Sequence, residues 1–102
     1  MQLMNNENTM EIILETDDKK GRFILMNNNE QAGLMTFTMA GEIMIISHTE
    51  VDPSFEGKGL GKKLVAAAVD HARKNNLKIK PLCPFANRVL QHQRDEVQDV
   101  LF

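Results

Sequence analysis

Tyrosine and tryptophan are absent, and cysteine occurs once. Without tyrosine the chain has no phenol for acid–base work. One cysteine cannot close an intramolecular disulfide, and no cysteine–histidine cluster has zinc spacing, so no metal centre is expected. Neither sign of charge dominates: 12 lysines and arginines stand against 14 aspartates and glutamates, a net charge of -2. That balance argues against general nucleic-acid binding, which draws most of its affinity from a basic surface. No apolar run approaches the roughly 20 residues of a membrane-spanning helix, so no membrane association is expected. Residues 1–10 are rich in asparagine and lack the basic start and apolar stretch of a secretory signal; the cytoplasm is the expected compartment. There is no internal repeat, low-complexity tract or linker. A hydrophobic fraction of 42% and a charged fraction of 25% are those of a folded chain, and 102 residues suit one domain, residues 1–102.

The front of the chain reads as strands. Glu11 to Thr16 carries Ile12, Ile13 and Leu14 and meets a polar cluster, Asp17 to Lys20, closed by Gly21. Arg22 to Met26 resumes with Phe23, Ile24 and Leu25, and the asparagines at 27–29 are turn chemistry, since Asn tolerates positive φ. From Glu30 to Met39 the pattern has period two with both faces apolar or small, which predicts a long strand covered on both sides. After the Ala40-Gly41 turn, Glu42 to Val51 reads as a fourth strand. Strict alternation puts Ile43, Ile45, Ser47, Thr49 and Val51 on one face, and Met44, Ile46, His48 and Glu50 on the other. Short turns make these four strands an antiparallel meander.

Asp52-Pro53 ends the fourth strand, because proline has no donor for the ladder. Leu60 to Asn75 has helical periodicity, with Leu60, Leu64, Ala67, Ala68, His71 and Ala72 in one stripe broadened by Val65 and Val69. Leu77 to Leu82 predicts a fifth strand, and a last helix from Pro84 or Phe85 carries Val89, Leu90 and Val97. The expected fold class is α+β: a mixed, mostly antiparallel sheet of about five strands with two main helices. His71 reads as a packing residue, His92 as an exposed one, and the seven methionines as core filler.

The informative segment lies between the fourth strand and the first helix: Val51-Asp52-Pro53-Ser54-Phe55-Glu56-Gly57-Lys58-Gly59-Leu60-Gly61-Lys62-Lys63-Leu64. Glycines at alternate positions turn the backbone sharply and expose amides. The first amides of a helix lack intrahelical partners and carry partial positive charge, which suits a phosphate. Lys58, Lys62 and Lys63 stand at or before the first helical turn, where the dipole disfavours cations by about a few tenths of a kcal/mol each. A bound polyanion reverses that sign; the alternative is a helix-entry loop with solvated lysines. Two other phosphate loops are excluded by spacing. No Ser or Thr follows Lys62 or Lys63, as a Walker loop needs, and the third glycine comes one place too early for a dinucleotide fingerprint.

Val51-x-Pro53 followed by Gly57-Lys58-Gly59-Leu60-Gly61 and a Lys-Leu helix resembles motif A of the GNAT superfamily of N-acetyltransferases, usually written Arg/Gln-x-x-Gly-x-Gly/Ala. The resemblance is specific over Val51 to Ala72. Cys83-Pro84-Phe85 after the fifth strand, and the acidic segment Asp95 to Asp99, also resemble a minimal GNAT-like group. The resemblance implies acetyl-coenzyme A as acyl donor. Gly57, Lys58, Gly59, Leu60, Gly61 and Lys62 would surround the pyrophosphate of coenzyme A, and Thr49 to Val51 would offer main-chain groups to the pantetheine arm. Glu56 departs from the family's Arg or Gln and is expected to point away. The family's usual tyrosine, which protonates the departing thiolate, is missing, and so are the front helices that cover the acceptor site.

Cys83 is the candidate replacement acid or, alternatively, an acyl-accepting nucleophile or a packing residue. Pro84 favours a first helical turn, so the Cys83 sulfur is expected near the positive end of a helix with a lowered pKa. Glu50 and His48 are candidate general bases, and Asn87 a candidate for orienting the acceptor or contacting the coenzyme. The expected activity is acetyl transfer to an amine, either a small molecule or a protein lysine or N-terminus, by direct transfer in a ternary complex. A coenzyme A-binding module without turnover and an interaction domain that lost its ligand are the alternatives. No motif specifies the acceptor or the oligomeric state.

Overall fold

A computed structural model describes residues 10–102; the asparagine-rich residues 1–9 lie outside them. The chain opens on four antiparallel strands, β1 (Met10–Asp17), β2 (Lys20–Asn27), β3 (Glu30–Ala40) and β4 (Ile43–Val51). Each hairpin has a two-residue loop whose first residue takes positive φ: Asp18 at 56°, Asn28 at 58° and Gly41 at 62°. Asp, Asn and Gly are the residues that accept that conformation at low cost. Helix α1 (Leu60–Asn75) follows, then β5 (Lys78–Pro81), α2 (Pro84–His92) and the single turn α3 (Arg94–Val97). The sheet order is β1-β2-β3-β4-β5, with β5 parallel to β4. This is the α+β mixed sheet expected from the sequence.

The strict alternation expected for β4 fails at Ser47. Thr36 pairs with His48 and Phe37 with Ile46, so Ser47 is the extra residue of a β-bulge. Its hydroxyl lies 3.0 Å from Thr36 Oγ1. One extra residue reverses every side chain beyond it. Met44 and Ile46 therefore share the helix-covered face with Thr49 and Val51, opposite buried Met35 and beside Gly33. His48 and Glu50 lie on the other face with Ile43 and Ile45.

All the helices pack on one side. One buried cluster joins Phe23, Leu25, Met35, Phe37, Met44 and Ile46 of the sheet to Leu64, Ala68 and Ala72 of α1, Val89 and Leu90 of α2, and Val97 of α3. His71 packs edge-on against Phe23, with ring centroids 5.8 Å apart. The opposite face of β3 is not covered as the sequence suggested: Leu34 and Thr36 are half-buried and Thr38 is exposed. Small or apolar side chains there fit a bare sheet surface as well as a buried one, so composition could not distinguish them.

The expected last helix breaks at Gln93, and the break turns the chain back so that Val97 and Val100 reach the core. The end of the chain then runs along β5, where the Ile79 amide donates to Val100 O and the Phe102 amide to Ile79 O. Arg73 fastens this segment to α1 through Asp99, its Nε donating to Oδ2 at 2.8 Å and Nη2 to Oδ1 at 3.1 Å. None of the described helices is long and apolar enough to cross a membrane.

Candidate functional site

Beyond β4 the chain is turned by Asp52. Its Oδ1 accepts from the Ser54 amide at 2.9 Å and from the Ser54 hydroxyl at 2.6 Å. Those bonds hold the Asp52 carboxyl below its ordinary value. They close a 3₁₀ turn, Pro53–Phe55, that buries the Phe55 ring. Gly57 (φ 84°) and Gly59 (φ 72°) then carry the backbone through the left-handed region into α1. Gly59 is the residue before the helix and offers no side-chain cap, and the first turn of α1 holds no acidic residue. The first amide bonded back into the helix is that of Lys63, to Gly59 O at 3.2 Å. The amides of Leu60, Gly61 and Lys62 therefore have no intrahelical acceptor.

A cleft forms where β5 leaves β4. Their pairing ends at Ile46–Pro81, and Ile46 O accepts from the amides of both Leu82 and Cys83. From Ser47 onward β4 has no neighbour on that side. The gap, about 350 Å³, is lined by Thr49, Glu50 and Val51 from β4, by Phe55, Glu56, Gly57, Gly59, Leu60, Gly61 and Lys62 from the turn and helix start, and by Phe85 from α2. An anion of phosphate size fits this donor set: unpaired helical amides, a bare glycine backbone and a lysine. Glu56 is exposed but borders the cleft rather than turning wholly away from it.

Cys83 stands behind this wall. It is the residue before α2, only 5% exposed, and does not line the cleft. Its Sγ lies 3.5 Å from Thr49 Oγ1, across the splay. Burial pushes the thiol pKa up, but hydrogen bonding from the Thr49 hydroxyl and from the amides of Ala86, Phe85 and Thr49 outweighs it, and the net direction is below the ordinary value. On the open face of the sheet, His48 Nε2 and Glu50 Oε1 are 3.0 Å apart, and both side chains are more than half exposed.

The fold thus gathers Thr49, Glu50, Val51, Gly57, Gly59, Leu60, Gly61 and Lys62 around one cleft. Lys58 lies over the Phe55 ring instead, 5.7 Å from its centroid. His48 touches the site through Glu50, and Cys83 through Thr49. Asn87 sits further along α2, beside Arg88 and Gln91, and is not part of the lining. Phe55 and Phe85 are the lining residues that the sequence did not single out. The signal for Phe85 was Gly61: a Cβ at that position would stand 2.6 Å from the Phe85 ring. Among the described residues no group of three or more His, Cys, Asp or Glu could hold a metal ion.

Residues 22–100 match the sequence model of the GCN5-related N-acetyltransferases. The chain belongs to that family. A GCN5-like protein from Staphylococcus aureus has a solution structure that superposes with a TM-score of 0.67 at 34% identity, covering 97% of this chain and 91% of that one. A Bacillus subtilis acetyltransferase in complex with coenzyme A superposes with a TM-score of 0.66 at 19% identity, over 82% of this chain and 74% of that one. The ribosomal-protein-S18-alanine N-acetyltransferase of Escherichia coli gives 0.66 at 17% identity, over 76% of this chain and 54% of that one. These last two likenesses are likenesses of fold. No curated protein sequence matches the chain.

Proposed function

We propose that the protein moves an acetyl group from acetyl-coenzyme A to an amine, directly, with both substrates held together. One observation carries the reading. The start of α1 has left-handed glycines before it, no capping side chain, no acid in its first turn and Lys62 and Lys63 where the helix dipole disfavours cations, and it opens on a cleft. Gly57, Gly59, Leu60, Gly61 and Lys62 would hold the pyrophosphate, with Lys58 near its entrance, and Thr49 to Val51 would flank the pantetheine arm.

Bound acetyl-coenzyme A supplies an activated thioester; the protein supplies proton management. Glu50 takes the proton that the attacking amine sheds, and His48 passes it to solvent from 3.0 Å away. The Thr49 hydroxyl gives a proton to the departing sulfur and recovers one from Cys83 behind it, and water entering the emptied cleft returns a proton to Cys83 through Thr49. Cys83 acts through Thr49 in this scheme, and the lowering of its pKa makes it a readier proton donor than an ordinary thiol. The acceptor is a small-molecule amine or a protein lysine or N-terminus. An N-terminal amine belongs in the assay because the Escherichia coli relative is an S18-alanine N-acetyltransferase.

Thermal denaturation against acetyl-coenzyme A, combined with thioester turnover over an amine panel, tests the reading. The melting temperature should climb with the logarithm of ligand concentration, and ATP or NAD should do much less. A flat response to coenzyme A overturns it. Binding without turnover on any amine selects a second reading, a coenzyme A-binding module, which the absence of tyrosine and the burial of Cys83 favour.

A further inference from the structure

A second groove continues the cleft along α2. It is about 370 Å³ and is lined by Lys62, Phe85, Arg88, Val89, His92 and Gln93. Lys62 and Phe85 border both depressions, so the groove begins where the amides of α1 end. Every ionisable group in its lining is a cation or can become one: Lys62, Arg88 and His92, all exposed. Arg88 and His92 stand one turn apart on α2, on a common face.

The partners of the other arginines set Arg88 apart. Arg22 pairs with Glu15 and Arg73 with Asp99, while Arg94 donates to Gln91. Among the described residues, Arg88 is the arginine whose side chain engages no acid or amide. No carboxylate of the described residues lies within ion-pair distance of Lys62 or His92 either. Lys62 and Arg88, two cations around one depression, repel each other unless an anion sits among them, and the His92 imidazole can add a hydrogen-bond donor.

We propose that this groove holds the 3′-phosphate of coenzyme A through Lys62, Arg88 and His92, and so discriminates coenzyme A from its dephospho form. The inference rests on the acetyl-coenzyme A reading above and goes beyond it. In that reading the pyrophosphate uses the amides of α1, the third phosphate is only a ribose away from it, and Lys62 and Phe85 join the two depressions. That phosphate is a monoester with about -1.5 to -2 charges at neutral pH. An arginine fork is the group best matched to such an oxygen cluster.

Calorimetric titration of the full chain with coenzyme A and with dephospho-coenzyme A tests it. Coenzyme A should bind roughly 10-fold or more tightly than the dephospho form, the scale of one or two charge-assisted hydrogen bonds. Raising the salt should narrow that ratio. Arg88→Gln and His92→Gln, both at exposed positions and checked for unchanged melting, should weaken coenzyme A several-fold and leave dephospho-coenzyme A where it was. Equal affinity for the two ligands in the unaltered protein overturns the subsite while leaving the donor reading intact. A preference that survives both substitutions puts the phosphate elsewhere and also overturns it. Failure of either ligand to bind removes both readings.

Discussion

A Cβ at position 61 would stand 2.6 Å from Cζ of Phe85, so the third glycine of the turn is a packing requirement of α1 against α2. Gly61→Ala should push the ring away and destabilise the protein by about 1–3 kcal/mol, the range for an overfilled contact. The displaced ring borders the cleft, so coenzyme A affinity should fall as well. Gly61→Ala combined with Phe85→Leu should recover part of both losses, because the two residues share one contact. Melting curves and titrations of the four proteins read this out. A Gly61→Ala protein as stable as its parent would contradict the packing account.

Gly59 poses the opposite case. Nothing lies within 4 Å of where its Cβ would be, yet its φ is 72°. The cost of Gly59→Ala is therefore dihedral strain, about 1–2 kcal/mol, and Gly59→Asn should cost less because Asn tolerates the left-handed region. Coenzyme A affinity should follow the same order, since the strained turn carries the amides. Glu56→Gln should leave affinity equal or raised, because it removes a carboxylate bordering the cleft proposed to hold the pyrophosphate. Loss of binding in a folded Glu56→Gln protein would make the glutamate a ligand instead.

The parts of the fold legible in the sequence are those governed by short-range rules. The limits of α1 follow from periodicity between Gly59 and the left-handed Asn76, and the hairpins from Asp, Asn and Gly at their turns. The glycine turn was readable because spacing describes backbone, and the left-handed φ of Gly57 and Gly59 is a property of backbone. The Ser47 bulge was not, because a single unpaired residue leaves no mark on a pattern of alternating Ile, Met, Ser and Thr. That bulge decides which face Thr49 and Glu50 occupy, so the division of labour across the sheet became visible only in three dimensions. The burial of Cys83 behind Thr49 and the contact of Phe85 with Gly61 were hidden for the same reason: both join residues distant in sequence.

The tie between Arg73 and Asp99 predicts an acid dependence of stability. Hydrogen bonding from Arg73 holds the Asp99 carboxyl below its ordinary value. A depressed carboxyl stabilises the fold above its unfolded pKa of about 3.9 and loses that contribution as pH falls through the lower folded value. The melting temperatures of the parent and Asp99→Asn should thus differ at pH 7 and converge in strong acid. Arg73→Ala should also quicken amide exchange at Ile79 and Phe102, whose bonds hold the end of the chain to β5. Parallel pH profiles for the parent and Asp99→Asn would remove the pair from any role in stability.

Glu50 and His48 share a hydrogen bond on the open face, and they should separate binding from turnover. Glu50→Gln should lower turnover by roughly 10- to 1000-fold, the scale of lost general-base help, and leave coenzyme A affinity within a few-fold. His48→Ala should cost less, because solvent can replace a relay that is already exposed. Full activity in Glu50→Gln would leave the amine proton to water.

Thr49 and Cys83 carry the last and most exposed expectation. Burial raises the thiol pKa, hydrogen bonds from the Thr49 hydroxyl and from three amides lower it by more, and the balance is below the ordinary value. Thiolate absorbance near 240 nm should therefore titrate below the range of an ordinary thiol, and Thr49→Val should move the midpoint up by removing the hydroxyl. The linked stability has a definite sign. A depressed thiol stabilises the fold above its unfolded pKa and loses that contribution as pH falls through the folded value, so the parent should gain on Cys83→Ala as pH rises from below the folded value to above the unfolded one of about 8.5. If the two residues act as one relay, Thr49→Val and Cys83→Ala should each cut turnover by roughly 10- to 1000-fold, and the double variant should be no worse than the worse single one. Cys83→Ser should recover part of the loss, since a hydroxyl can still donate to Thr49. A packing role makes a different set of numbers: Cys83→Ala loses about 1 kcal/mol for its small cavity, and turnover per folded molecule stays unchanged. That result would break the relay at its inner end and leave the Thr49 hydroxyl and water to protonate the departing sulfur.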